Sequence, residues 1–122
     1  MNKLKIAILG YGNLGRGVEA AVSESSDMEL KALFTRRDPK SIKTQSGVAV
    51  YHIDEAIKMK DEIDVLILCG GSANDLPEQT PYFAEYFNVI DSFDTHAKIP
   101  EHFENVDKKS RSGKHVSVLS VG

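Results

Sequence analysis

Residues 4–15 read Leu4-Lys5-Ile6-Ala7-Ile8-Leu9-Gly10-Tyr11-Gly12-Asn13-Leu14-Gly15, and the class of fold follows from them. Leu4 to Leu9 is an apolar run rich in branched side chains and stopped by a glycine, the profile of a strand buried on both faces. Beyond the glycines, Leu14, Val18, Ala21 and Val22 recur at helical spacing, so a helix over 14–22 is expected with those residues inward. A strand, a G-x-G-x-x-G turn and a helix in immediate succession are the context that makes this motif a specific dinucleotide-binding signal. Gly10 allows the tight turn, Gly12 lets a pyrophosphate approach the backbone, and Gly15 lets the helix pack closely on the strand. The free amides and the positive end of the helix dipole then face the phosphates.

From this unit the chain alternates strands and helices. Met28 to Thr35 reads as a second strand, and Arg36 to Gly47 as a polar loop containing Pro39. Val48 to Tyr51 is a short strand at most, and Asp54 is expected to cap a short helix carrying Ala56, Ile57 and Met59. Asp64 to Cys69 is a second deeply apolar strand ending in Gly70 and Gly71. A helix follows between Pro77 and Phe87. Because a proline inside a helix lacks a donor, the expected start is Thr80 as cap with Pro81 first. Asn88 to Ile90, a helix over Pro100 to Lys109, and a strand over His115 to Leu119 complete the pattern. Such alternation implies an α/β fold of Rossmann type: a doubly wound, mostly parallel sheet with helices on both faces and right-handed crossovers.

Composition narrows the class of function. The 122 residues carry 15 Lys+Arg and 18 Asp+Glu, a net charge of −3, and this weakly acidic balance argues against general nucleic-acid binding. No apolar run approaches the ~20 residues of a membrane span. The basic N-terminus before an apolar stretch superficially resembles a signal peptide, but the stretch is short and runs into the glycine loop. A single cysteine, Cys69, cannot form an intramolecular disulfide, which fits a reducing cytoplasm.

Three further segments bear on chemistry. About 20 residues beyond Gly15, where an NAD-preferring site places an acid on the ribose, the chain reads Thr35-Arg36-Arg37 with no acid before Asp38. A hydroxyl and two guanidiniums suit a 2′-phosphate, so the expected cofactor is NADP. Cys69-Gly70-Gly71-Ser72 falls beside the switch point of the sheet, where small residues leave room for ribose and pyrophosphate. There Cys69 reads as a small buried residue beside the cofactor and not as a catalytic thiol. On the same edge Asp91-Ser92-Phe93-Asp94-Thr95-His96 holds two carboxylates and a histidine. Those groups could bind a cationic substrate; the ligand count is poor for a metal, and none is expected. Acid–base work by His96 and a bland reading, with Asp91 capping the turn and His96 exposed, both remain open. His52, His102 and His115 read as structural and without partners, and no G-x-S-x-G elbow occurs.

Together GYGNLGR (Gly10 to Arg16), Thr35-Arg36-Arg37, CGGSANDLPEQ (Cys69 to Gln79) and DSFDTH (Asp91 to His96) resemble meso-diaminopimelate dehydrogenase, in that family's order and over essentially the whole chain. The resemblance implies reversible, NADP-dependent oxidative deamination of the D-centre of meso-2,6-diaminopimelate, in lysine and cell-wall precursor synthesis, by a cytoplasmic homodimer. It assigns the cofactor pyrophosphate to Tyr11, Gly12, Asn13 and Leu14, and the 2′-phosphate to Thr35, Arg36 and Arg37. Cys69, Gly70, Gly71 and Ser72, with Ser92, Phe93, Asp94, Thr95 and His96, would line the nicotinamide side, and Asp94 would also meet the substrate. Family members continue past the sixth strand through S-T-G-W-D-P-G into a substrate and dimerisation domain, whereas this chain reads Ser120-Val121-Gly122. Residues 1–122 are therefore expected to be the NADP-binding domain alone, without turnover by itself. Two other readings stay open: a stand-alone nucleotide-binding or sensor module, and an oxidoreductase of the glucose–fructose oxidoreductase type, whose E-K-P segment Asp91 to His96 does not match.

Titrating the chain with each cofactor should show NADP binding more tightly than NAD. Replacing Arg36 and Arg37 by alanine together should cost NADP far more affinity than NAD; equal affinities for the two cofactors would remove the basis for the preference.

Overall fold

In the computed structural model, which describes residues 3–71 and 74–120, β1 (Leu4–Leu9) lies at the centre of the sheet with Ile6 to Leu9 buried on both faces. It pairs in parallel with β2 (Met28–Thr35) on one side and β4 (Val65–Leu68) on the other. β3 (Val50–His52) extends the sheet beyond β2, while β5 (Asn88–Asp91) and β6 (Ser117–Val118) extend it beyond β4. The order is β3-β2-β1-β4-β5-β6, with every described pair parallel. The chain winds one way from β1 to β3 and the other way from β4 to β6. Right-handed crossovers therefore put the helix after β1 and those after β4 and β5 on opposite faces. This is the doubly wound Rossmann fold, and its switch point lies between the carboxyl ends of β1 and β4.

Among the described residues three α-helices cover the sheet: α1 (Asn13–Glu24), α2 (Leu76–Ala84) and α3 (Ile99–Gly113). Their inward faces depart from the simple apolar periodicity. In α1 the buried residues are Gly15, Glu19 and Val22, whereas Leu14 is 46% exposed and Ala21 also faces outward. The helix is rotated because Gly15 packs on the loop before it, which carries Leu14 to the outside. In α3 the buried stripe is His102, Val106 and Ser110, so two of its three inward positions are polar.

The start of α2 also differs from expectation. The helix begins at Leu76, with Pro77 in its first turn and Pro81 inside. Pro81 leaves the Pro77 carbonyl without its intrahelical donor, a cost of about 3 kcal/mol in a helix interior. Burial of Leu76, Thr80, Phe83 and Ala84 against the core offsets it, since each large apolar side chain removed from water contributes roughly 1.5–3 kcal/mol. Packing of one face thus outweighs the proline rule.

Elsewhere the elements are shorter than their apolar runs. The polar loop after β2 contains a 3₁₀ turn, Pro39–Ser41, in which the Asp38 carboxylate accepts from the Lys40 amide. The short helix expected at Asp54 is instead two 3₁₀ segments, Ile53–Glu55 and Ile57–Glu62. The first is capped by His52, whose Nδ1 accepts from the Asp54 amide at 3.2 Å. At the far edge, β6 shrinks to two residues, although Val116 still accepts from the Val89 amide.

Where α2 meets α3 the backbones are in direct contact. A methyl group on Gly113 would fall inside the van der Waals envelope of the Glu85 carbonyl. Gly113→Ala must therefore push the two helices apart. Urea unfolding should show a loss of about 1–3 kcal/mol, the range for overpacking a close contact; unchanged stability would show that this crossing yields freely.

Candidate functional site

The glycine loop closes β1 and opens α1. Gly10 sits at φ +100° with its amide on the Phe34 carbonyl at 3.0 Å, a backbone state that side chains disfavour. Gly15 carries the opposite constraint: a methyl there would collide with the Gly10 carbonyl. At Gly12 the space a side chain would fill is open. Gly12 is also the N-cap of α1, no side chain caps it, and the first turn holds no acid. The helix therefore presents free amides and an unneutralised positive end to that open space, the arrangement that binds an anion. A dinucleotide pyrophosphate fits it.

Behind the loop lies a carboxylate that apolar periodicity does not reveal. Glu19 has no solvent exposure. Its Oε1 accepts from the Tyr11 hydroxyl at 2.5 Å, and its Oε2 from the Ser46 amide at 3.0 Å and hydroxyl at 2.5 Å. Burial alone would push this carboxyl upward. The bonds from Ser46, Tyr11 and the Gln45 backbone outweigh that and hold it below the ordinary glutamate range. Burial and the bond to Glu19 in turn raise Tyr11 above an ordinary phenol. Glu19 stays ionised and Tyr11 neutral across the physiological range. The available signal was spacing, because Gly15, Glu19 and Val22 lie along one helical stripe.

At the end of β2, Thr35 is buried and its hydroxyl accepts from the Arg37 amide at 3.0 Å, which folds the chain into a turn. Arg36 and Arg37 are exposed. Arg36 is nevertheless paired: its guanidinium lies 2.6 Å from the Asp75 carboxylate, which also accepts from the Gly71 amide at 2.9 Å. From Thr35 at the end of β2 the sequence holds no acid before Asp38, but the fold brings one from the β4–α2 connection, 39 positions after Arg36. Arg36 and Asp75, with Ile53, Asp54, Ile57, Asn74, Glu78, Gln79, Tyr82 and Phe83, line a cleft of about 430 Å³. That volume falls within the usual range for a small-ligand pocket.

Across the switch point, the Cys69 amide bonds the Leu9 carbonyl at 2.8 Å, placing Cys69 and Gly70 beside the glycine loop. Gly70 has no room for a side chain, whose first carbon would lie 2.7 Å from Asp75 Cβ. Burial pushes the Cys69 thiol up to about 12, so it stays protonated and is no nucleophile. Ser72 lies outside the described residues. Gly71 is exposed.

The segment after β5 divides in two. Asp91 is buried and accepts four hydrogen bonds: from the Thr80 hydroxyl (2.8 Å), His102 Nε2 (2.8 Å), the Phe93 amide (3.2 Å) and the Ser120 amide (2.9 Å). The Phe93 bond is the turn-capping contact. His102, read from sequence as lacking a partner, instead lies buried on Asp91 with its ring stacked on Phe93 at 4.0 Å. His102 shares the inward stripe of α3 with Val106 and Ser110, and that spacing was its only sign in the sequence. Phe93 thus faces inward, Ser92 and Thr95 are half-buried, and Asp94 and His96 are exposed. Among the described residues no group of three or more His, Cys, Asp or Glu is placed to hold a metal ion, and no helix is long and apolar enough to cross a membrane.

A doubly wound sheet, an open glycine loop at its switch point and two arginines after β2 make up the class of Rossmann unit that binds dinucleotides. No protein-family model matches the chain. Over all 122 residues it is 62% identical to the meso-diaminopimelate D-dehydrogenase of Ureibacillus thermosphaericus and 60% identical to that of Lysinibacillus sphaericus. It spans 37% of the length of these curated relatives. Among solved structures, Corynebacterium glutamicum DAP dehydrogenase in complex with DAP superposes with a TM-score of 0.91 at 37% identity, over 100% of this chain and 37% of that one. An engineered D-amino acid dehydrogenase bound to NADP+ gives a TM-score of 0.91 at 36% identity, over 99% of this chain and 37% of that one. The resemblance carried by GYGNLGR, TRR, CGGSANDLPEQ and DSFDTH thus extends along the entire chain.

Asp75 occupies the Arg36 guanidinium and would compete with a phosphate brought to it. Asp75→Asn keeps an acceptor for the Gly71 amide while removing the charge. Calorimetric titration should then show NADP binding about two- to fivefold tighter, as expected for releasing a partly exposed pair, with NAD little changed. Weaker NADP binding would mean that Asp75 holds Arg36 in its working position.

Proposed function

We propose that residues 1–122 are the NADP-binding domain of a longer meso-diaminopimelate D-dehydrogenase. Such an enzyme reversibly and oxidatively deaminates the D-centre of meso-2,6-diaminopimelate, NADP+ and water being consumed to give L-2-amino-6-oxopimelate, ammonia and NADPH. The observation that carries this reading is the 62% identity with such an enzyme along all 122 residues. The residues present suit the cofactor. Gly12 and the uncapped start of α1 leave an open, positive space for the pyrophosphate. Thr35, Arg36 and Arg37 supply charge for a 2′-phosphate, which NAD lacks. The NADP-bound neighbour of the same fold supports the choice.

Bound there, NADP supplies the hydride acceptor, and the chain's own residues bind and orient. We assign the pyrophosphate to the backbone of Tyr11, Gly12, Asn13 and Leu14. Cys69, Gly70 and Gly71 leave room for the ribose, Ser72 is assigned to the same stretch from its place in the sequence, and the Cys69 thiol, held protonated by burial, takes no part in the chemistry. Ser92, Thr95 and His96 line the nicotinamide side, with Phe93 holding the segment from behind through its stack on His102. Asp94, exposed on that segment, holds the substrate ammonium close to the carbon that loses hydride. The longer protein, by the same reading, works as a cytoplasmic homodimer whose remaining residues grip the distal end of the substrate.

In the longer protein, Asp94→Ala should lower diaminopimelate-dependent NADPH formation by at least about 100-fold, the usual scale for losing a charged positioning contact, while NADP affinity changes little. A variant with full activity would take Asp94 out of the site. Turnover by residues 1–122 alone would show that the substrate machinery lies within them.

A further inference from the structure

We infer that Glu19 is a positioning residue that sets both phosphate-holding segments of the cofactor site. The inference rests on the NADP reading proposed above. A carboxylate inside a helix face is costly to bury unless its oxygens are fully hydrogen-bonded, and a purely packing role would be better served by an apolar residue. Here the two oxygens are divided between two parts of the chain. Oε1 takes the Tyr11 hydroxyl, so the second residue of the glycine loop is fixed from behind, next to the open space at Gly12. The Arg16 guanidinium lies over the Tyr11 ring, 5.5 Å from its centre, and confines it further.

Oε2 takes the Ser46 amide and hydroxyl. Ser46 stands near the end of the strap that leaves β2 through Thr35, Arg36 and Arg37 and returns as β3. The strap is pinned at its start by the Thr35–Arg37 turn, and it bends at Gly47, where φ is +79°. The Ser46 hydroxyl, accepting from the Val48 amide at 3.2 Å, joins this bend to the carboxylate. Glu19 is thus one rigid group on α1 that holds the pyrophosphate loop with one oxygen and the arginine-bearing strap with the other. The spacing between pyrophosphate and 2′-phosphate sites is set through it.

Two separable losses follow, and loss of a merely structural contact would not separate them. Affinities for NADP and NAD, with melting temperatures, are measured on the 122-residue chain and on Tyr11→Phe, Ser46→Ala and Glu19→Ala. Tyr11→Phe loosens only the pyrophosphate loop and should weaken both cofactors alike, by about tenfold, the effect of one hydrogen bond to a charged group. Ser46→Ala loosens only the strap and should weaken NADP about threefold while leaving NAD unchanged. Glu19→Ala should do both, lowering affinity for each cofactor and narrowing the NADP-to-NAD ratio. Folded variants that bind both cofactors like the parent, or that shift both cofactors alike in all three cases, would overturn the assignment. Should Glu19→Ala fail to fold, the other two variants decide. Failure of the parent chain to bind NADP would instead remove the cofactor reading, and this inference with it.

Discussion

The approach of α1 to β1 depends on one close backbone contact, Gly15 against the Gly10 carbonyl. That contact sets the rotation of α1, sends Leu14 into solvent and turns Glu19 inward. It also aims the first turn of the helix at the gap between β1 and β4, where the sheet order reverses. Without it the free amides at Gly12 would point elsewhere, and the anion site would not coincide with the switch point. The site is therefore a consequence of how tightly two backbones can meet.

The carboxyl edge of the sheet is held by two buried carboxylates, each receiving donors from distant parts of the chain. Glu19 joins the glycine loop to the strap after β2. Asp91 joins α2 through Thr80, α3 through His102, its own loop through Phe93 and the segment after β6 through Ser120. Each lies where loops would otherwise be free to shift. Charge-assisted bonds are shorter and stronger than neutral ones, and a buried carboxylate that lost its donors would be left uncompensated. Such groups trade the uniform packing of an apolar core for one geometry at the ligand-facing edge.

Much of this was legible from residue order, for identifiable reasons. The central strands are deeply apolar and end in glycine, so β1, β2 and β4 stand out in the chain. The glycine loop is a local motif whose meaning is set by its neighbours, and its turn, open space and close contact all occur where the glycines require them. The Thr35-Arg36-Arg37 triplet was visible for the same reason. The start of α2 was not, since burial of Leu76 and Phe83 against strands far away in sequence outweighs a local rule about proline. Neither were Glu19 and His102, two polar residues on inward stripes, because periodicity measures apolar character and passes over a polar group whose partners arrive from elsewhere.

Sequence alone thus determined what depends on local stereochemistry and on the alternation of apolar runs: a doubly wound parallel sheet, its glycine loop, and the positions of the residues at its strand ends. Tertiary structure alone decided which polar groups meet. It set Asp75 against Arg36, Ser46 against Glu19 and His102 against Asp91, pairs separated by 39, 27 and 11 positions. The reason is physical. A backbone turn is set by its own residues, but an ion pair or buried hydrogen bond forms only when folding brings two distant groups within about 3 Å and removes the water between them.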